Sequence, residues 1–301
     1  MINELLKEIG TVKAKDEKEF SKSLNAYLKG DKLEACIKDF WKNREDNKTA
    51  VREKYPSLMQ QLTFYFILLQ DINNIINETY KNKKDKDLIK QRINVCGKLY
   101  NKSLQIFIDI FGLLENGSVL NAFLLWRAIY ENYIVSNYTA SGAEEEAKLF
   151  NEYEIVQKNK LLNIKLTKEE KAKFVKKYGK DFETNDYCWA KNIKGKKTFL
   201  KIVRLVKEKK LYKYYQLSGY IGHSSSFSVN NGIVYDQKPV NNITGFSAEE
   251  VTKSLNVFIN VMSEFANLMI EKYLDDKKQK ETLKKLVSYY SKEIDKKWKK
   301  L

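Results

Sequence analysis

The sequence predicts an all-α protein, a bundle of long helices with a short irregular or hairpin insertion after His223. Two observations carry this. Chain-breaking residues are scarce, with 12 Gly and 2 Pro in 301 residues, so long helices joined by short connections are expected. Apolar residues recur at three- and four-residue spacings through most of the chain, the period of one helix face. With 43% apolar and 31% charged residues, and 19 Tyr and 15 Phe, the chain can fill a core beneath a highly charged surface.

Taken in order, Ile2, Leu5, Leu6 and Ile9, then Phe20, Leu24, Tyr27 and Leu28, fit one or two peripheral helices. Lys29-Gly30-Asp31 stops one helix and starts another, and the charged run 42–54 ends before Pro56, which sets the entry to the first core helix. That helix covers 57–80 and is closed by the turn at 81–84. Asp85 or Asp87 caps a second helix running to about Leu114. Asn116-Gly117-Ser118 is a stop and a new cap before the third helix, Val119 to about Tyr138. This helix is apolar all round, so it is expected at the centre. Thr139 to Gly142 is read as the start of a further helix reaching about Asn163, with Glu144, Glu145 and Glu146 in an acidic first turn that suits the helix dipole. Thr167 to Glu170 is a capping-box pattern opening a short basic helix to Tyr178. Residues 179–197 read as a loop packed on the bundle through Trp189, followed by helices over 198–207 and 211–222. Phe246 to Glu250 signals the start of a helix reaching Tyr273, and Leu283, Leu286, Tyr290 and Ile294 stripe a lysine-rich tail helix. The domain reading is therefore peripheral helices over 1–55, a helical core over 56–274 and a C-terminal helix over 275–301.

Charge narrows the partners. The chain carries +16 with a pI near 9.4, which favours an anionic partner. RNA or another polyanion is expected. Abundant Lys beside Asn and Ile also fits an AT-rich coding composition, in which surface lysine is compositional. Cys36, Cys96 and Cys188 are scattered and odd in number, which fits a reducing cytoplasm and no zinc site. The N-terminus lacks a signal-peptide core, and the most apolar stretch, Leu62 to Ile72, is too short to span a bilayer. A cytoplasmic protein with no membrane partner is expected. There is no Walker A loop, GxGxxG or nucleophile elbow, so nucleotide hydrolases and Rossmann enzymes are not expected, and the carboxylates form no Mg²⁺ or two-metal pattern, so no cofactor or metal is expected.

Three residues concentrate the chemistry. Arg127 and Glu131 are four apart on the most apolar helix, hence on one face. Charges there need partners, either each other or groups lining a polar pocket. His223 is the only histidine, in Tyr220-Ile-Gly-His-Ser-Ser-Ser. Near a helix C-terminus and a carboxylate its imidazolium would be stabilised. Lys194, Lys196, Lys197, Lys201, Arg204 and Tyr212 lie in a basic stretch leading toward it, where lysines would track phosphates and tyrosines stack on bases. The alternative for this stretch is a solvated face. For the tail stripe, the alternatives are a contact with a protein partner or second copy, or closure of its own bundle.

The order Arg127, Glu131, Trp189, Tyr214, Leu217, Ser218, His223 resembles an uncharacterised bacterial helical family over roughly Leu62 to Tyr273. A more distant resemblance is to HEPN-type helical ribonucleases of toxin and antiphage systems. These place an arginine a few residues before a histidine near a helix end. Here no arginine lies between Gln216 and Gly222, so Arg127 would have to supply it from another helix. The resemblance implies a metal-independent ribonuclease with His223, Arg127 and Glu131 as catalytic residues. The alternative is a noncatalytic helical protein binding nucleic acid or a protein partner.

Overall fold

A computed structural model describes residues 22, 31–54, 56–81, 90–116, 118–222, 234–235, 242–243 and 248–298. The chain divides into two units, 1–56 and 57–301. The first contains helix α1, Asp31–Lys54, a polar helix with a Lys48–Glu45 pair at 3.2 Å one turn apart. The stripe from Ile2 to Leu28, the caps Asp85 and Asp87, and Phe246 lie outside the described residues.

The second unit is an all-α bundle. Its long members are α2, Pro56–Lys81, α3, Lys90–Glu115, and α4, Val119–Ser141. Between these and the last two helices run α5, Glu144–Glu152, α6, Glu154–Leu161, α7, Lys168–Tyr178, α8, Phe199–Leu205, and α9, Tyr212–Gly222. The chain closes with α10, Ala248–Tyr273, and α11, Lys277–Trp298. A two-residue antiparallel ladder pairs Val234 with Ile243 and Tyr235 with Asn242, so the insertion contains a hairpin.

As its composition requires, α4 is central, in contact with α3, α8, α9 and α10. It buries Phe123, Trp126, Ile129, Tyr130, Tyr133 and Ile134. Large aromatics supply most of this core, and several of their polar ends find hydrogen-bond partners, which buried hydroxyls and indoles need. Trp126 Nε1 donates to the Val257 carbonyl at 3.1 Å. The Tyr65 hydroxyl lies 2.6 Å from Ser263 Oγ, and the Tyr100 hydroxyl donates to the Leu69 carbonyl at 3.2 Å. These bonds tie α2, α3, α4 and α10 at fixed rotations. The tail helix α11 buries Leu283, Val287 and Ile294 and packs on α10, closing the bundle of its own chain, with Leu286 exposed.

Two boundaries differ from the sequence reading. The central helix passes through Thr139 to Ser141, because the Thr139 hydroxyl turns back onto the Val135 and Ser136 carbonyls at 2.9 and 3.1 Å instead of capping a new helix. The expected single helix to Asn163 is interrupted at Tyr153. That ring is buried edge-on to Tyr178, and its hydroxyl lies 2.6 and 2.7 Å from the Phe182 and Asn185 carbonyls. The Thr167–Glu170 capping box is present, with both reciprocal bonds made. Trp189 is buried between Tyr138 and Phe150, which fastens the 179–198 loop to the bundle.

Candidate functional site

Arg127 and Glu131 emerge from one edge of α4 where α9 lies beside it. Their side chains are 37% and 38% exposed, so the pair sits at a solvent-facing seam between helices. Tyr215 of α9 completes it. The Tyr215 hydroxyl donates to Glu131 Oε1 at 2.7 Å and accepts from Arg127 Nη2 at 2.9 Å, while Arg127 Nε reaches the same Glu131 oxygen at 3.3 Å. The guanidinium carbon lies 4.4 Å from the centre of the Tyr215 ring. Arginine suits this position because its planar fork can stack and hydrogen-bond together.

The sequence around these groups explains the placement. The Tyr130 hydroxyl donates to the Glu208 carbonyl at 2.8 Å and holds the turn that precedes α9. Ser218, fully buried, returns its hydroxyl to the Tyr215 carbonyl at 2.7 Å. Gly219 leaves room for the arginine: a Cβ there would lie 3.0 Å from Arg127 Nη1. Beneath Tyr215, the Phe199 ring is 4.7 Å away and Tyr130 is 5.6 Å away. Tyr187 joins this aromatic floor at 6.0 Å from Phe199.

Burial pulls the Arg127 pKa down, and the adjacent Tyr215 and Glu131 more than offset this, so it stands above its ordinary range. Burial, then the Glu131 carboxylate, holds the Tyr215 phenol well above its usual value against the opposing effect of Arg127. Tyr215 is therefore a neutral donor at physiological pH. Tyr187 is pushed up to about 12, by burial first and then by Glu131 and Asp186. The arrangement presents a guanidinium on a half-exposed seam, its charge matched by the Glu131 carboxylate and its plane set by the Tyr215 hydroxyl and ring.

Of the residues singled out in the sequence, Arg127 and Glu131 meet, and His223 lies outside the described residues, as do the serines 224–226. His223 follows directly on Gly222, the last residue of α9. Lys194, Lys196 and Arg204 are exposed. Two other lysines are occupied with the loop: Lys197 donates to the Cys188 carbonyl at 2.7 Å and Lys201 to the Lys194 carbonyl at 3.0 Å. Burial lowers the Lys197 pKa. Tyr212 stacks on Tyr215 at 5.7 Å. Tyr214, which carries the family-like pattern, instead meets the edge of Trp126 and lies under Lys213. Tyr215 and Tyr187 were missed. The available signal for Tyr215 was helical spacing, since Tyr212, Tyr215 and Gly219 share one face of α9.

Among the described residues no group of three or more His, Cys, Asp or Glu side chains is placed to hold a metal ion, and no helix is long and apolar enough to cross a membrane.

The fold and the seam define an all-α bundle with an arginine–glutamate–tyrosine cluster. Residues 93–237 match a family described as a family of unknown function (DUF5677), a span that includes Arg127, Glu131, Tyr215 and position 223. No curated protein and no solved structure matches the chain.

Proposed function

We propose that this chain is a cytoplasmic RNA-directed effector of a defence or toxin system, acting as a metal-independent ribonuclease with a distant likeness to the HEPN type. The observation that supports this best is the half-exposed Arg127 guanidinium, held over Tyr215 and tied to Glu131 at the helix that leads into His223. In this reading Arg127 neutralises the charge that builds on the phosphoryl oxygens as the 2′-oxygen attacks phosphorus. His223 takes the 2′-hydroxyl proton or delivers one to the departing 5′-oxygen. Glu131 and Tyr215 position Arg127. Exposed Lys194, Lys196 and Arg204 would meet flanking phosphates.

The mutual satisfaction of Arg127, Glu131 and Tyr215 favours a second reading, a noncatalytic protein that binds nucleic acid or a protein partner. Binding to a 2′-O-methyl RNA oligomer, which cannot undergo 2′-oxygen attack, tests the contact shared by the ribonuclease and nucleic-acid-binding readings. Arg127→Met should weaken affinity and lower the slope of log K against log salt by about one phosphate contact. An unchanged affinity and slope removes Arg127 from the RNA surface.

A further inference from the structure

The turn between α6 and α7 holds the most exposed leucines of the described residues, Leu161 at 80% and Leu162 at 65%, with Ile155 at 55% and Ile164 at 51% beside them. Large apolar side chains concentrated this closely on a surface mark an interaction site. The turn is fixed by its backbone. Asn163 adopts φ 51°, its N–H donates to the Lys160 carbonyl at 3.3 Å, and the Ile164 N–H donates to the Asn159 carbonyl at 2.9 Å. This is the paired bonding of a helix end closed by a left-handed residue, so the leucines are held outward. Ile155 and Leu162, seven apart, fall on the same helical face.

The turn itself is basic, with acidic residues on either side of it. From Ile155 to Lys168 the chain has Lys158, Lys160, Lys165 and Lys168 and no acidic residue. Lys158 and Lys160 pair with Glu154 and Asp186 at 2.8 and 2.7 Å, while Lys165 and Lys168 make no ion pair among the described residues. On either side of this stretch lie Glu154, which pairs with Lys158, the exposed Glu169, and Glu170, which is engaged in the Thr167 capping box.

We propose that this tip docks the protein on an anionic bilayer, with Leu161 and Leu162 entering the interface and Lys165 and Lys168 among the headgroup phosphates. Apolar insertion and lysine attraction reinforce each other at such a surface. A second copy is the less favoured occupant, because tip-to-tip contact would set these lysines against each other in chains of +16. Leu161 and Leu162 do not line the adjacent groove of about 630 Å³, which is formed by Val156, Ile164, Lys165, Leu166, Phe182 and Glu183 among others. The proposal departs from the expectation of no membrane partner, which rested on the lack of a spanning segment. It is independent of the RNA reading.

Co-sedimentation of the full chain with vesicles of phosphatidylcholine alone, and of phosphatidylcholine mixed with phosphatidylglycerol, tests it. The wild type should bind the anionic vesicles, and Leu161→Ser/Leu162→Ser should lower the partition coefficient at least about tenfold with helicity unchanged. In Leu162→Trp, emission should shift to the blue on adding anionic vesicles. Three outcomes overturn the proposal: no vesicle binding by the wild type, equal binding by the double serine variant, or self-association abolished by that variant without vesicle binding.

Discussion

Tyr215→Phe removes one oxygen and leaves the aromatic floor in place. Two hydrogen bonds disappear, to Glu131 at 2.7 Å and from Arg127 at 2.9 Å, while the Arg127–Glu131 contact at 3.3 Å survives. Both charged partners are more than a third exposed, so water replaces the lost bonds. A net hydrogen bond contributes about 0.5–1.5 kcal/mol, and an exposed helical ion pair about 0.3–0.5 kcal/mol. Tyr215→Phe should therefore cost about 1 kcal/mol, and Arg127→Met a similar amount. Urea denaturation followed by helical circular dichroism would measure both singles and the double. A coupling of about 0.5–1 kcal/mol is expected, because the two side chains share one network. A loss of about 3 kcal/mol or more for either single change would match a buried charge left without its partner. Such a loss would make the trio a clamp of the fold and not a solvent-facing site.

Trp126→Ala should cost about 3–5 kcal/mol in the same assay, since it empties the centre of α4 and frees the Val257 carbonyl; a cost under about 1 kcal/mol would contradict the core described. Thr167→Ala should cost about 1 kcal/mol through loss of the capping box, with no effect on RNA binding. Gly219→Ala should weaken RNA binding with little loss of stability, because its methyl presses on Arg127 Nη1; unchanged affinity would show that Arg127 shifts freely. Burial leads the upward pKa shift of Tyr65, Tyr100, Tyr130, Tyr133 and Tyr273, so the unfolded chain loses tyrosine protons first. Stability is then fully present below the ordinary tyrosine value of about 10 and falls as pH rises above it. Phenolate absorbance should show a late fraction that appears together with loss of helicity. Titration of all tyrosines near 10 with helicity intact would contradict it.

What the sequence made legible follows from local physics. Helical period and scarce breakers located the long helices, and the Thr167–Glu170 spacing located a cap because both its bonds are made within one turn. Arg127 and Glu131 were readable as a pair because four residues return to one face. Tyr215 was not, since its role depends on how α9 lies against α4 and on the space at Gly219. The interruption at Tyr153 has the same origin, because its hydroxyl meets carbonyls some thirty residues ahead. Lys197 and Lys201 read as surface cations, yet each is bonded to a loop carbonyl that charge patterning alone does not reveal.

Cleavage of RNA in EDTA by the wild type, His223→Ala and Arg127→Met, all shown to be equally folded, decides between a ribonuclease and a binding protein. The account predicts cleavage by the wild type, loss in His223→Ala, and a fall of about two orders of magnitude or more in Arg127→Met. No cleavage by the wild type, with salt-sensitive RNA binding intact in His223→Ala, would contradict the ribonuclease and leave a binding protein.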